Sequence, residues 1–345
     1  MQKQEHIKYI PFISSVAAIA VLFLHTNGCF WFFSATEPYW KSANIIECFF
    51  YPAVPLFFMI SGITLMDFYD RSTLKEYFIK RINKAFIPFV AWSFIVLAMK
   101  LILGRVALNE ITLIYLYEGI IGSQIVNIFW FFAPLFCIYL SMPLFAAVEK
   151  TRRKEVFSYL VIIGFVLNLL VPFVKSVFNL SFSTPYQVTV VTGALIWVPL
   201  GWLLHNCEFR KTTKVFLYVF AVAGLLLHII GTYKLSMDAG RIVETFKGYQ
   251  NVPCVMHTSG LFVLLKDVGI RIMKGKMESF FNWLSKYAFP IYLMQFIFLV
   301  ALPGVSFVDT TSLVYRLGAP FLIVPTIIAV TWLIRKIPVI RRILP

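Results

Sequence analysis

The chain has 345 residues, 60% of them hydrophobic, with 36 Phe and a formal net charge of +15. That apolar load exceeds what a water-soluble domain buries, and the runs do not alternate as strands of a membrane barrel would, so a polytopic helical membrane protein is expected. The positive charge sits in short loops between apolar runs, the arrangement that sets membrane topology, and it therefore argues against a nucleic-acid partner.

In chain order the apolar runs lie near 10–33, 44–68, 86–104, 127–148, 156–179, 187–206, 213–233, 251–267, 279–303 and 314–335. The expected fold is all-α: one integral-membrane domain over 1–345 with about ten transmembrane helices and no appended soluble domain. MQKQEHIK leads straight into the first run with no small-residue cleavage site behind it, so this run reads as a retained span. One set of loops holds Lys3 and Lys8; Arg71, Lys75, Lys80, Arg81 and Lys84; Lys150, Arg152, Arg153 and Lys154; Arg210, Lys211 and Lys214; Lys266, Arg271, Lys274 and Lys276; and Arg335, Lys336, Arg341 and Arg342. The alternate set holds only Lys41, Arg105, Lys175, Lys234, Arg241 and Lys247. This asymmetry places both termini in the cytoplasm and demands an even number of crossings. The five cysteines lack CxxC or Cys/His ligand spacing, so neither a metal centre nor a redox motif is expected.

Ionisable residues inside spans carry the functional expectations. His25 lies about 15 residues into the first run, about 22 Å from its start at 1.5 Å per residue. Thr26 and Asn27 follow it. A neutral imidazole there is either a general base for a hydroxyl or a ring hydrogen-bonded into the bundle. Glu47 opens the second run; it either orients an imidazole, binds an acceptor hydroxyl, or is a solvated span end. His228 and His257 read as structural and His205 as interfacial. Asp67 and Asp70 are expected to counter Arg71 and Lys75. Trp130, with Tyr139, Trp197 and Trp202, either stacks on sugar or belongs to the interfacial belt. Between 74 and 89, a uniform helical period puts Leu74, Phe78, Ile82, Ala85 and Phe89 on one apolar stripe, with Arg81 inside it and Lys84 on its border. Two cations turned inward need an anion or a cluster of carbonyls.

Five segments carry a family resemblance. YIPFISSVAAIAVLFLHT ends in His25, VPLFFMISGITL holds the pair Ser61–Gly62, and FIKRINKAFIPF holds Arg81 and Lys84. FWFFAPLFCIYLSMPLF and LSKYAFPIYLMQ complete the set. Together they resemble the integral-membrane acyltransferase family 3, whose members O-acylate, mostly O-acetylate, bacterial surface polysaccharides and related acceptors. Some positions depart from the family pattern. Pro11 and Ser14 stand where an Asp and an Arg are frequent, and Lys84 replaces the second Arg of an Arg-x-x-Arg motif. Ile128 replaces a His before the Trp of the fourth helix, and Gln295 replaces a His closing the penultimate motif.

The resemblance implies a multi-pass enzyme of the bacterial cytoplasmic membrane, using acetyl-CoA from the cytoplasm as acyl donor. Arg81 and Lys84 would hold the donor phosphates and His25 would act on the acceptor hydroxyl. Glu47, Asn27 and Trp130 are the candidate acceptor contacts. The expected partners are a surface glycan or lipid-linked oligosaccharide and membrane lipid. The rival expectation is a transporter or flippase for a lipid-linked sugar, its cations gripping a pyrophosphate; kinked helices suit both.

Overall fold

Pro11 lies in the first turn of its run, where a missing N–H leaves no hydrogen bond unmade, and the α-helix stops before Gly28. Between them Ile10–Thr26 forms α1. The computed structural model describes residues 7–183, 186–301, 308–337 and 343–344. Lys3, Arg341 and Arg342, used above for topology, lie outside the described residues, as does the end of the run at 279–303.

Every described residue in a regular element is helical, and each of the ten apolar runs contains helix. Helices α2 (Tyr39–Phe50) and α3 (Ala53–Leu65) join through Pro52. Helices α4 (Leu74–Arg81) and α5 (Ile87–Ile102) join through a π-turn at Ile82–Phe86. A short α6 (Leu113–Ile121) precedes α7 (Phe132–Ala146). Next come α8 (Arg153–Gly164) and α9 (Val171–Val177), joined by a second π-turn at Phe165–Leu170, and then α10 (Trp197–Asn206). The long α11 (Lys211–Ala239) and α12 (Val252–Ile272) pair side by side. The chain then runs through α13 (Gly275–Leu284), α14 (Ala288–Ala301) and α15 (Leu313–Ile334). Seven continuous segments among the described residues are long and apolar enough to cross a membrane: Tyr39–Asp70, Leu74–Ile102, Asn127–Ala146, Arg153–Val177, Lys211–Ala239, Gly275–Ala301 and Leu313–Ile334. Helix α1 is apolar but shorter, at 17 residues.

Helix α1 is the centre of the bundle. Ile13, Ala17 and Leu22 are sealed from solvent, and α1 packs against α2, α3, α12, α13, α14 and α15. The exterior is apolar: Leu140 and Leu144 on α7, Phe216 on α11, and Phe321 and Leu322 on α15 all face outward. So broad an apolar surface fits lipid, not water.

A lipid exterior explains where the stripe reading between 74 and 89 departs from the structure. Leu74 and Ile82 are 44% and 47% exposed, whereas Tyr77, Ala85 and Phe89 are buried and Arg81 is half-buried. In a membrane the apolar face looks out to the chains, and the polar-aromatic face turns inward. The π-turn adds a residue to one turn, which rotates everything after it away from a uniform period. Lys84 falls on the exposed side of this turn.

The carboxylates beyond α3 also differ from expectation. Arg71 donates to the carbonyls of Thr64 (3.0 Å) and Asp67 (3.2 Å), groups left open at a helix end. Asp67 and Asp70 are thereby free to reach across the basic loops, where they pair with Arg153 and Lys150. Arg153 also donates to the Val148 and Ala146 carbonyls, tying the start of α8 to the end of α7.

Candidate functional site

The site grows from the last turn of α1. Thr26 Oγ1 donates to the Arg316 carbonyl at 2.9 Å, fastening α1 to the start of α15. Asn27 donates its amide to the Ala43 carbonyl at 2.8 Å and accepts from Arg316 at 3.3 Å. Arg316 also donates to Ser42 Oγ at 2.8 Å. The Asn27 side chain is thus committed to joining α1, α2 and α15. Arg316 is 1% exposed and forms the hub of this junction. What distinguishes it is a lone Arg opening an apolar run on the cation-poor side.

With that end fixed, His25 faces a cavity of about 780 Å³, whose wall also includes Glu47, Trp130, Tyr249, Tyr292 and Tyr315. Asn27, Arg81 and Lys84 are not among its lining residues. His25 Nδ1 is sealed from solvent and makes no hydrogen bond within ordinary limits. Nε2 is not sealed in this way, so it is the nitrogen open to the cavity. The neighbour that the imidazole meets is Gln295 of α14. Neither His228 nor His257 lines the cavity; His228 is fully buried, with its ring 5.0 Å from that of Tyr51.

Glu47 is not a solvated span end. Its Oε1 accepts from Lys247 Nζ at 2.9 Å, with both side chains almost completely buried, and its Oε2 has no partner. Lys247 lies 3.9 Å from the Tyr51 ring centroid and 4.7 Å from that of Trp31, where the ring faces offset some of the lost hydration. Tyr51 stacks on Tyr249 at 4.1 Å, and Tyr249 on Trp130 at 5.1 Å. One wall of the cavity is therefore an aromatic face with the buried Glu47–Lys247 pair behind it, a surface chemically suited to stacking on rings. No ion pair joins Glu47 to His25. Breaking the pair from one side leaves a buried charge alone. Lys247→Met is expected to cost about 3–5 kcal/mol, and the double variant with Glu47→Gln to recover most of it. Thermal unfolding of the detergent-solubilised variants in a double-mutant cycle measures both.

Arg81 occupies a separate station in the fold. Its guanidinium lies 5.7 Å from the Tyr77 ring and 5.5 Å from that of Tyr139 on α7, with Nε sealed and unpartnered. Tyr77 OH donates to the Tyr139 carbonyl at 3.0 Å and locks α4 to α7. Of the positions that depart from the expected motifs, Ile128 lines the cavity, and its carbonyl accepts the Tyr292 hydroxyl. Pro11 sits in the first turn of α1, and its carbonyl accepts from Ser15 Oγ at 2.8 Å.

Fold and site together define a helical membrane protein that holds an imidazole over an internal cavity. Residues 8–335 match a family model described as an acyltransferase domain, and the chain belongs to acyltransferase family 3. None of the curated proteins and none of the solved structures compared with it gives a match.

Proposed function

We propose that the protein transfers an acetyl group from cytoplasmic acetyl-CoA to a hydroxyl of a surface or lipid-linked polysaccharide. Ten spans with both termini in the cytoplasm suit this reading, and so does residence in a bacterial cytoplasmic membrane. The basic loops then meet the donor, and the cavity beside His25 opens toward the acceptor. The observation that carries the reading is the His25 imidazole, set on the cavity wall with one nitrogen open, in a chain of this family.

The chemistry follows from that nitrogen. His25 Nε2 takes the proton of the acceptor hydroxyl as its oxygen attacks the thioester carbonyl. The carbon–sulfur bond then breaks, and the departing thiolate takes the proton from the imidazolium to leave as free thiol. Transfer through an acetyl-histidine would use the same residue as nucleophile. Glu47, its Oε2 sealed in the fold, backs the acceptor side of the cavity through its pair with Lys247, and Trp130 with Tyr249 offers a face for the ring. Arg81 and Lys84 supply charge-assisted hydrogen bonds to the donor phosphates. Lys84, exposed and flexible, acts as a point charge, and Arg81, held between two rings, acts as a fixed fork.

The test is thiol release from acetyl-CoA by purified protein, dependent on added acceptor glycan. Arg81→Ala is expected to raise the donor KM by about 10-fold to 100-fold, as for a lost hydrogen bond to a charged group, with a smaller change in kcat. Sugar-lipid translocation without any thiol release would overturn the acyltransferase reading in favour of a flippase.

A further inference from the structure

We propose that Gln295 is a positioning residue that fixes the tautomer of His25. This rests on the acyl-transfer reading, with His25 as the base, and names what makes that imidazole competent.

Gln295 is completely buried on α14. Its Nε2 donates to the Tyr292 carbonyl, one turn back, at 3.1 Å. A carbonyl only accepts, so the amide nitrogen must face it, and the orientation of the whole amide is settled by that contact. Oε1 is left sealed and without a partner. The imidazole that Gln295 meets has its own sealed, unpartnered atom, Nδ1. Two orphaned polar atoms on adjacent side chains, one able only to accept and the other able to carry a proton, satisfy each other in one arrangement: Nδ1–H donates to Oε1. A buried polar atom left alone is costly, which drives the pairing.

The consequence is chemical. A neutral imidazole carries one proton, and placing it on Nδ1 leaves the Nε2 lone pair directed at the cavity, ready to accept from a hydroxyl. When Nε2 becomes protonated, the Nδ1–H···Oε1 contact persists and the amide dipole stabilises the imidazolium. An amide does not titrate, so this orientation holds across the working pH range. A His at the same place would present either an acceptor or a donor according to its own tautomer. Without an acceptor at 295, the proton settles on Nε2, where the cavity can solvate it, and the base is blocked.

Gln295→Met keeps the side-chain volume and removes the acceptor, whereas Gln295→Glu keeps an acceptor. For Gln295→Met, kcat for acetyl transfer is expected to fall about 100-fold, within the usual worth of a general base, while the acetyl-CoA KM stays unchanged. Gln295→Glu is expected to retain most of the turnover. Independently of activity, nitrogen-15 spectra of histidine-labelled protein, with His25 assigned by its absence in His25→Ala, should show the proton on Nδ1 in the unaltered chain and on Nε2 in Gln295→Met. Wild-type turnover in Gln295→Met, or an Nε2–H tautomer in the unaltered protein, overturns this role while leaving His25 as the base. Full activity of His25→Ala instead removes the base on which the role depends, and the two failures are thereby distinct.

Discussion

His25→Ala is expected to cut acceptor-dependent acetyl transfer sharply while leaving the bundle folded. General-base assistance is worth about 10²–10⁴-fold, so complete loss of the base is expected to cut turnover by about that factor. The fold should survive because His25 carries none of the contacts that fasten the end of α1. Those belong to Thr26 and Asn27, which hold α2 and α15 through Ala43 and Arg316. Truncation opens the sealed side of the ring to a cavity that already exists, so water reaches Gln295 Oε1 and relieves it. The expected outcome is an unfolding midpoint close to that of the unaltered protein, with transfer reduced by that factor. His257→Gln is the matched control, since His257 does not line the cavity, and it should retain activity. Measuring O-acetyl content of glycan incubated with each purified variant reads the difference. Full acetylation by a well-folded His25→Ala protein removes the base assignment.

Much of this arrangement was legible in the residues, and the failures share a cause. The ten apolar runs were visible because a helix in lipid must be apolar over most of its length, and each run contains helix. His25 was conspicuous because a titratable group in such a run needs a reason. What the sequence concealed was direction. Of the stripe from Leu74 to Phe89, Ala85 and Phe89 do face protein, but Leu74 and Ile82 face out as the apolar side does in a bilayer, and the π-turn at Ile82–Phe86 shifts the register between them. Partners distant in sequence were equally hidden. Glu47 finds Lys247 and Asn27 finds Arg316, and neither pairing leaves a spacing to recognise. Gln295 appeared in the sequence only as a missing histidine. Its meaning depends on the imidazole that it meets from another helix.

Adding side chains at Gly62 or Gly201 is expected to damage the fold more than truncating His25 does. The two residues lie on facing surfaces of α3 and α10, where the backbones themselves are in contact. A Cβ on Gly62 would sit 2.5 Å from the Val198 carbonyl oxygen, and one on Gly201 would sit 2.7 Å from Met59 Cα and 2.8 Å from its carbonyl oxygen. These are main-chain atoms, with no rotamer to swing aside, so the helices must separate. In lipid no hydrophobic force restores them, because close packing is what holds helices together there. Ser61, the partner in the Ser–Gly pair, is satisfied within its own helix by the Phe57 carbonyl at 3.1 Å, which leaves the close approach to Gly62. Overpacking of this kind costs about 1–3 kcal/mol for Gly201→Ala, and Gly201→Leu is expected to give no monodisperse protein. Gly62→Ala combined with Gly201→Ala should cost less than the two changes separately, since one separation of the helices accommodates both methyl groups. Gly318→Ala on α15 has open space around its Cβ and should be neutral or slightly stabilising through helix propensity. Thermal unfolding in one detergent orders the unaltered protein, Gly62→Ala, Gly201→Ala, their double variant and Gly318→Ala. Equal midpoints for Gly201→Ala and Gly318→Ala would mean that α3 and α10 do not touch through their backbones, and the frame that brings Val54 of α3 to the cavity wall would need redrawing.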